Sequence, residues 1–215
     1  MRRIAPTWAH DITHVLCIGA HADDIEIGCA GTLLELRAAN PDIMFDWVVL
    51  SSEGERAQET RAAARRLLGP HHKVRVADFT DRYFPARYAD LKRYVAGLGR
   101  TLSPDVVFCP RRVDAHQDHR TVAELTWQTF RNHLVLEYEI VKWEGDLGQP
   151  NAYVALSNDT AAEKLATLAD EFPTQRDHDW FDDEVFRGLL RLRGVECRAP
   201  SGYAEAFHAT KLRLW

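Results

Sequence analysis

No apolar run in the 215-residue sequence approaches the roughly 20 residues needed to cross a bilayer. Lysine and arginine number 27 against 32 aspartates and glutamates, so the basic excess that marks a nucleic-acid-binding chain is missing too. There is no C-x-x-C pair. Cys17, Cys29, Cys109 and Cys197 are widely spaced, which points to reduced thiols of the cytoplasm and not to a disulfide framework. The opening stretch MRRIAPTWAHDIT has two arginines but no continuous apolar segment behind them and no small-residue cleavage site, so no secretory signal is expected. Internal repeats, low-complexity tracts and separating linkers are all lacking. What is present, 46% apolar and 27% charged residues with a net charge of −5, is the make-up of an ordinary globular chain. One domain over residues 1–215 is therefore expected, cytoplasmic, with neither a membrane nor a nucleic acid as partner and with self-association left open.

Short apolar runs rich in β-branched and aromatic residues, Val15–Ala20, Phe45–Leu50 and Asp105–Cys109, read as buried strands of a parallel sheet, and 74–77 as a shorter one. Helical periodicity covers 31–39, 58–68 and 87–102, the last two closed by Gly69-Pro70 and Ser103-Pro104. This alternation predicts an α/β, Rossmann-like domain with a mostly parallel central sheet flanked by helices and with functional loops at the strand C-termini. After a helix at 120–130 the pattern changes. Strands are expected within LVLEYEIVKW and NAYVALS, and a helix from the N-capping Ser157-Asn158-Asp159 to about Glu171. A last helix over 181–192 and short strands at YAEAF and KLRLW complete an expected C-terminal strand and helix cap.

Two polar clusters sit where the predicted strands end. The first strand runs into His21, Asp23 and Asp24, and the DVVFC strand runs into RRVDAHQDHR, which holds His116, Asp118 and His119. Buried polar side chains are costly unless paired, and a metal ion would satisfy several together. A catalytic Zn²⁺ takes three protein ligands and leaves a place for water; His21 and His119 are the natural imidazole donors and Asp24 the carboxylate. Asp23 would then stand beside the ion, free to accept a proton from water. His116 is placed to stabilise an oxyanion and to protonate a leaving amine, and Asp118 to orient one of the histidines from behind. Gly28 and Gly31 read as a close turn at a helix entry, and His71-His72 as loop residues. Taken singly, H-x-D-D and H-x-x-H are each ordinary surface patterns; the pair is what points to a metal centre.

The stretch AHADDIEIGCAGT resembles the A-H-P-D-D-E-x-x-G-C-G-G-T signature of the PIG-L/LmbE-like zinc-dependent de-N-acetylases, and DAHQDHR resembles that family's H-P-D-H motif. SSEGERAQETRAAARRLLG and GYAEAF are similar to further segments of the family, and YEIVKWEGDLGQPN, FPTQ and RGLLRLRGVE to one bacterial branch of it. The resemblance implies that His21, Asp24 and His119 hold zinc, or another divalent ion such as Fe²⁺. It also implies that Asp23 is the general base and that His116 serves as oxyanion stabiliser and acid. Ala22, Ile25, Ala30 and Gln117 depart from the pattern, none of them a proposed ligand.

The implied reaction removes an N-acetyl group from a small-molecule amino-sugar conjugate, releasing acetate and a free amine. Glu53, Glu55 and Arg56 follow the second strand, a region that contributes to sugar binding in the family, and Tyr203 and Glu205 would reach in from the C-terminal cap. Two other readings fit the residues. One is a non-haem iron oxygenase with a two-histidine, one-carboxylate site; the other is a sugar-binding protein that has lost catalysis.

Overall fold

Each central strand is apolar on both faces because each face is covered by helices. In a computed structural model that describes residues 11–69 and 72–212, β1 (His14–His21) sends Val15 and Cys17 to one side and Leu16 and Ile18 to the other, all fully buried. The first side packs against α1 (Asp24–Ala39), α2 (Gly54–Leu68), α5 (Asn158–Glu171) and α6 (Asp183–Cys197). The second packs against α3 (Tyr88–Thr101) and α4 (Gln117–Thr129). Among the described residues seven strands form one sheet in the order β3 (His72–Val76), β2 (Met44–Ser51), β1, β4 (Val106–Pro110), β5 (Leu134–Tyr138), β7 (Tyr203–His208) and β6 (Ala152–Leu156). The pairs among β3, β2, β1, β4 and β5 are parallel. β7 and β6 continue the sheet antiparallel, so the C-terminal strands extend its edge while α5 and α6 cover its face. The strand order reverses between β1 and β4, the place where an open α/β sheet leaves a crevice at its carboxyl ends.

The first helix begins seven residues earlier than periodicity suggests, and the reason lies in its glycines. Gly28 and Gly31 are not in a turn but inside α1. A Cβ at Gly28 would come within 2.2 Å of the Tyr138 ring, and one at Gly31 within 2.6 Å of Leu156, so they let the helix lie close against β5 and β6. The Tyr138 hydroxyl, buried by this approach, donates to the Ile18 carbonyl at 2.8 Å. Likewise α2 begins at Gly54, four residues before its expected start. His72, read as loop, opens β3; His71 lies outside the described residues. Of the KLRLW strand, Lys211 and Leu212 are not in a strand, and the remainder lies outside the described residues.

Glu205, expected to reach substrate, is a structural residue. Its carboxylate is buried under α1, where it accepts from the backbone amides of Gly31 (2.9 Å) and Thr32 (2.6 Å) and pairs with Lys164 Nζ at 2.6 Å. Lys164 also donates to the Ile27 carbonyl at 2.6 Å. Removing one partner of such a pair strands a buried charge, at a cost of about 3–5 kcal/mol. Glu205→Ala is accordingly expected to lower unfolding stability by about that amount in urea titration, whereas exchanging both partners together, Lys164→Met with Glu205→Leu, is expected to recover most of it.

Candidate metal centre

The end of β1 is fixed by a carboxylate. Asp24, the first residue of α1, accepts from the backbone amides of Ala20 (2.8 Å) and His21 (3.0 Å) through Oδ2, which holds its other oxygen toward the crevice. Asp23 before it is the N-cap residue of α1 in the left-handed region (φ 89°), a conformation that aspartate tolerates better than most residues. From β4, the loop through Arg111 to Ala115 leads to His116, the N-cap of α4, whose Nδ1 accepts from the Asp118 amide at 3.2 Å. His119 follows in the first turn of α4 and is buried.

The two clusters meet, although His21 and His119 are 98 positions apart. His21 Nδ1 is 3.2 Å from His119 Nε2, His119 Nε2 is 3.3 Å from Asp24 Oδ1, and His21 Nδ1 is 3.8 Å from Asp24 Oδ2. A tetrahedral ion with bonds of about 2.0–2.2 Å keeps its ligand atoms about 3.3–3.6 Å apart, so the two imidazole nitrogens and Asp24 Oδ1 are gathered at close to the separation that ligands of one divalent cation need. His116 also offers a ring nitrogen within 4.8 Å of those of His21 and His119.

The imidazoles of His21 and His119 are each backed by carboxylate. His21 Nε2 lies 3.2 Å from Asp118 Oδ2 and 2.9 Å from Asp81 Oδ1. Asp118 is itself held by the backbone amides of Arg82 (2.6 Å) and Phe84 (3.1 Å). His119 Nδ1 is 3.1 Å from Asp114 Oδ2, close enough for strong attraction but off the line of a good hydrogen bond. Asp118 thus stands where the sequence put it, while Asp81 and Asp114 were missed. Asp114 lies inside the DAHQDHR motif, and Asp81 follows β3, so position at a strand end was a usable signal for both.

Burial and neighbouring charges set the protonation of the group. Burial pushes the Asp23 carboxyl up to about 6, against the attraction of Arg56, with the neighbouring Asp24 carboxylate raising it further. Burial also opposes ionisation of Asp24, but His119 and His21 outweigh it and hold its carboxyl well below the usual range. For His119, burial disfavours the cation, yet Asp24 and Asp114 together raise it to about 9. His21 is likewise raised well above 6.5, its burial outweighed by Asp118, Asp24 and Asp81. His116 is lowered, by burial first and then by repulsion from the other two imidazoles.

The centre forms the floor of an open cleft of about 750 Å³ that also reaches Glu53 and Arg56. Arg56 donates to the Ala22 carbonyl at 2.5 Å and to Asp23 Oδ2 at 3.1 Å, so it braces Asp23. Two residues expected at the substrate are elsewhere. Glu55 is exposed in the first turn of α2 and does not line the cleft, and Tyr203 sets its ring 5.2 Å from the Arg191 guanidinium at the far edge of the sheet.

The family model described as GlcNAc-PI de-N-acetylase (PIG-L) matches residues 16–130. An uncharacterised deacetylase of Escherichia coli K12, YaiS, is 28% identical over 168 residues, covering 72% of this chain and 88% of that protein. The diacetylchitobiose deacetylase of Thermococcus kodakarensis is 27% identical over 126 residues, covering 52% of this chain and less than half, 46%, of that protein. Among solved structures, GalB of Pseudomonas putida KT2440, a 4-carboxy-2-hydroxymuconate hydratase, superposes with a TM-score of 0.74 at 18% identity, over 94% of this chain and 98% of its own. The fold therefore serves more than one reaction, and the reaction has to be argued from the site.

In the metal-free protein, against the effect of burial, the surrounding carboxylates raise the proton affinity of both imidazoles. Because the folded value of His119 lies above the unfolded 6.5, the stability it contributes is fully present below pH 6.5 and is lost as pH rises through about 9, and that of His21 is lost in the same direction. Metal-free protein is expected to lose thermal stability over that interval, and Zn²⁺ binding at pH 7.5 to expel protons from the imidazoles. Calorimetric titration in two buffers of different ionisation enthalpy measures their number; a value of zero would contradict the raised proton affinity of His119.

Proposed function

The chain belongs to the PIG-L family of de-N-acetylase-like proteins, and on that premise we propose that it is a metal-dependent hydrolase that removes the acetyl group from the nitrogen of an amino-sugar conjugate. The observation that carries this reading is the division of labour between adjacent carboxylates. Asp24 faces both imidazoles and is held ionised, as a metal ligand must be, whereas the buried Asp23 lines the same cleft outside that trio with its carboxyl raised to about 6. A carboxylate near 6 is ionised at pH 7 yet more basic than an ordinary one, which suits a general base.

His21, Asp24 and His119 would hold the ion, and Zn²⁺ suits a site of two histidines and a carboxylate. Bound there, a divalent cation would polarise the acetamide carbonyl and lower the pKa of a water. Asp23 takes the proton from that water as the water oxygen bonds to the carbonyl carbon. Arg56 keeps the Asp23 carboxylate in place for this transfer. His116 is positioned for the oxygen that gains negative charge. Its Nδ1 is occupied as an acceptor and its ring is disfavoured as a cation, so the neutral ring carries its proton on Nε2 and donates from there. When the C–N bond breaks, the amine nitrogen takes up the proton gained by Asp23, and acetate and the free amine leave.

A free amine as product accords with the cleft's chemistry, since it is ringed by carboxylates. The proteins of known substrate that this chain resembles include a deacetylase of diacetylchitobiose, which favours N-acetylglucosamine units as the first substrates to try. Against the iron oxygenase stands family membership, and against a purely binding role stands a buried, braced base that binding would not require.

Purified protein is expected to release acetate from an N-acetylglucosamine conjugate, to stop on chelation and to resume on adding Zn²⁺. Asp23→Asn should keep the fold and metal stoichiometry and lower kcat by about 10²–10⁴-fold. A near-normal rate in that variant would remove Asp23 from the role of base. The kcat/KM of the parent protein should rise with pH along an acid limb at or below pH 6, since a bound cation favours the ionised Asp23 further.

A further inference from the structure

The mouth of the cleft holds an aromatic group that the reaction does not use. Trp143 lies between β5 and β6, and His178 and Trp180 between α5 and α6, in two segments outside the residues matched by the family model. All three line the same cleft as the metal centre. Their rings are in mutual contact: Trp143 stands edge-on to His178 and Trp180, each at 5.8 Å between centroids, and His178 stacks on Trp180 at 6.3 Å and 13°. Trp143 is 66% exposed, yet its indole N–H is fixed by Asp179 Oδ1 at 2.8 Å. A large aromatic face that is oriented and left in water at a cleft mouth is a surface prepared for a ligand.

The surroundings select the ligand. Six carboxylate residues line the cleft against three cations, and each cation has an acidic neighbour: Arg56 is paired with Asp23, Lys142 with Asp114 and Asp146, and Arg82 lies 3.7 Å from Asp81. Even with a divalent ion bound, the described lining offers a phosphate no lysine or arginine that lacks an acidic neighbour, which disfavours nucleotide-linked sugars. Beyond the aromatic group, Phe79 and Ile140 supply the remaining apolar side chains of the lining, too few to follow a lipid tail. Carboxylates and amides that accept hydroxyl protons, next to aromatic faces that accept the C–H face of a pyranose ring, suit an uncharged saccharide. The cleft's 750 Å³ lies high in the range of about 300–1,000 Å³ typical of drug-sized ligands, which leaves room beyond a single acetamido sugar.

Resting on the deacetylase reading above, we propose that Trp143, with His178 and Trp180 behind it, forms a stacking subsite for a second, uncharged sugar ring, so that the substrate is an oligosaccharide or glycan end and not a free or nucleotide-linked monosaccharide. The subsite acts by ring stacking and hydrogen bonding, with no covalent step of its own.

The test compares N-acetylglucosamine, N,N′-diacetylchitobiose and p-nitrophenyl N-acetylglucosaminide as probes, by acetate release and by calorimetric binding, on the zinc-loaded parent protein, Trp143→Ala and Trp143→Phe. The parent is expected to favour the disaccharide over the monosaccharide. Trp143→Ala should lower that preference roughly tenfold, the order that ring stacking supplies, and Trp143→Phe should restore most of it. An unchanged preference in Trp143→Ala, or failure of the parent to bind the disaccharide, overturns the subsite while leaving any monosaccharide hydrolysis intact. A Trp143-dependent gain for the nitrophenyl glycoside alone overturns the sugar assignment in favour of an aromatic aglycone. Trp143-dependent disaccharide binding with no acetate from any probe supports the subsite and removes the reaction.

Discussion

The carboxylate of Asp24 is the hinge of the whole site. One of its oxygens accepts the last amides of β1 and so ends the strand, and the other faces His119 from β4's side of the sheet. A single side chain therefore joins strand termination, helix start and metal geometry. The left-handed backbone at Asp23 follows from the same constraint, because the chain must leave the strand and enter α1 within two residues. The outcome is two neighbouring carboxylates in opposite electrostatic settings, one held down by imidazoles and one pushed up by burial. Splitting like groups in this way would let one residue type supply both the ligand and the base of the proposed reaction.

Much of the central architecture was legible because parallel strands buried on both faces read as unbroken apolar runs. VLCIGA, FDWVVL and VVFC all form strands, and of the polar residues that follow β1 and β4, Asp23, Asp24, His116, Gln117 and His119 line the crevice. What periodicity could not show was why a helix with two glycines in its first turns should be stable. Gly28 and Gly31 are explained by the Tyr138 ring and by Leu156, contacts across more than a hundred residues. The same blindness to distant partners misplaced Glu205, whose partners are Lys164 and two amides of α1. A glutamate at a strand looks alike in sequence whether it meets a ligand or a buried lysine.

The supporting carboxylates show a related limit. Asp118 is legible because it lies between His116 and His119 in sequence, whereas Asp114, in the same motif, has no neighbour in the chain that marks its partner as His119. Asp81 comes from the end of β3, two strands away from β1 in the sheet, and no spacing rule connects it to His21. Position after a strand marks such a residue as a candidate, and only the sheet order shows which imidazole it supports. The aromatic rim likewise depends on contacts made through space, since Trp143 and Trp180 meet across two loops that share no element.

The separation of the two histidine clusters has a kinetic consequence. Residues 21 and 119 come together only after β1 has paired with β4, a contact spanning about ninety positions, so no early fragment of the chain presents the complete donor set. An ion held by the three proposed donors would give little stabilisation to the folding transition state and its full effect to the finished sheet. Its binding would then slow the chain's departure from the native state without hastening its arrival. Such an ion would be a latch set after assembly.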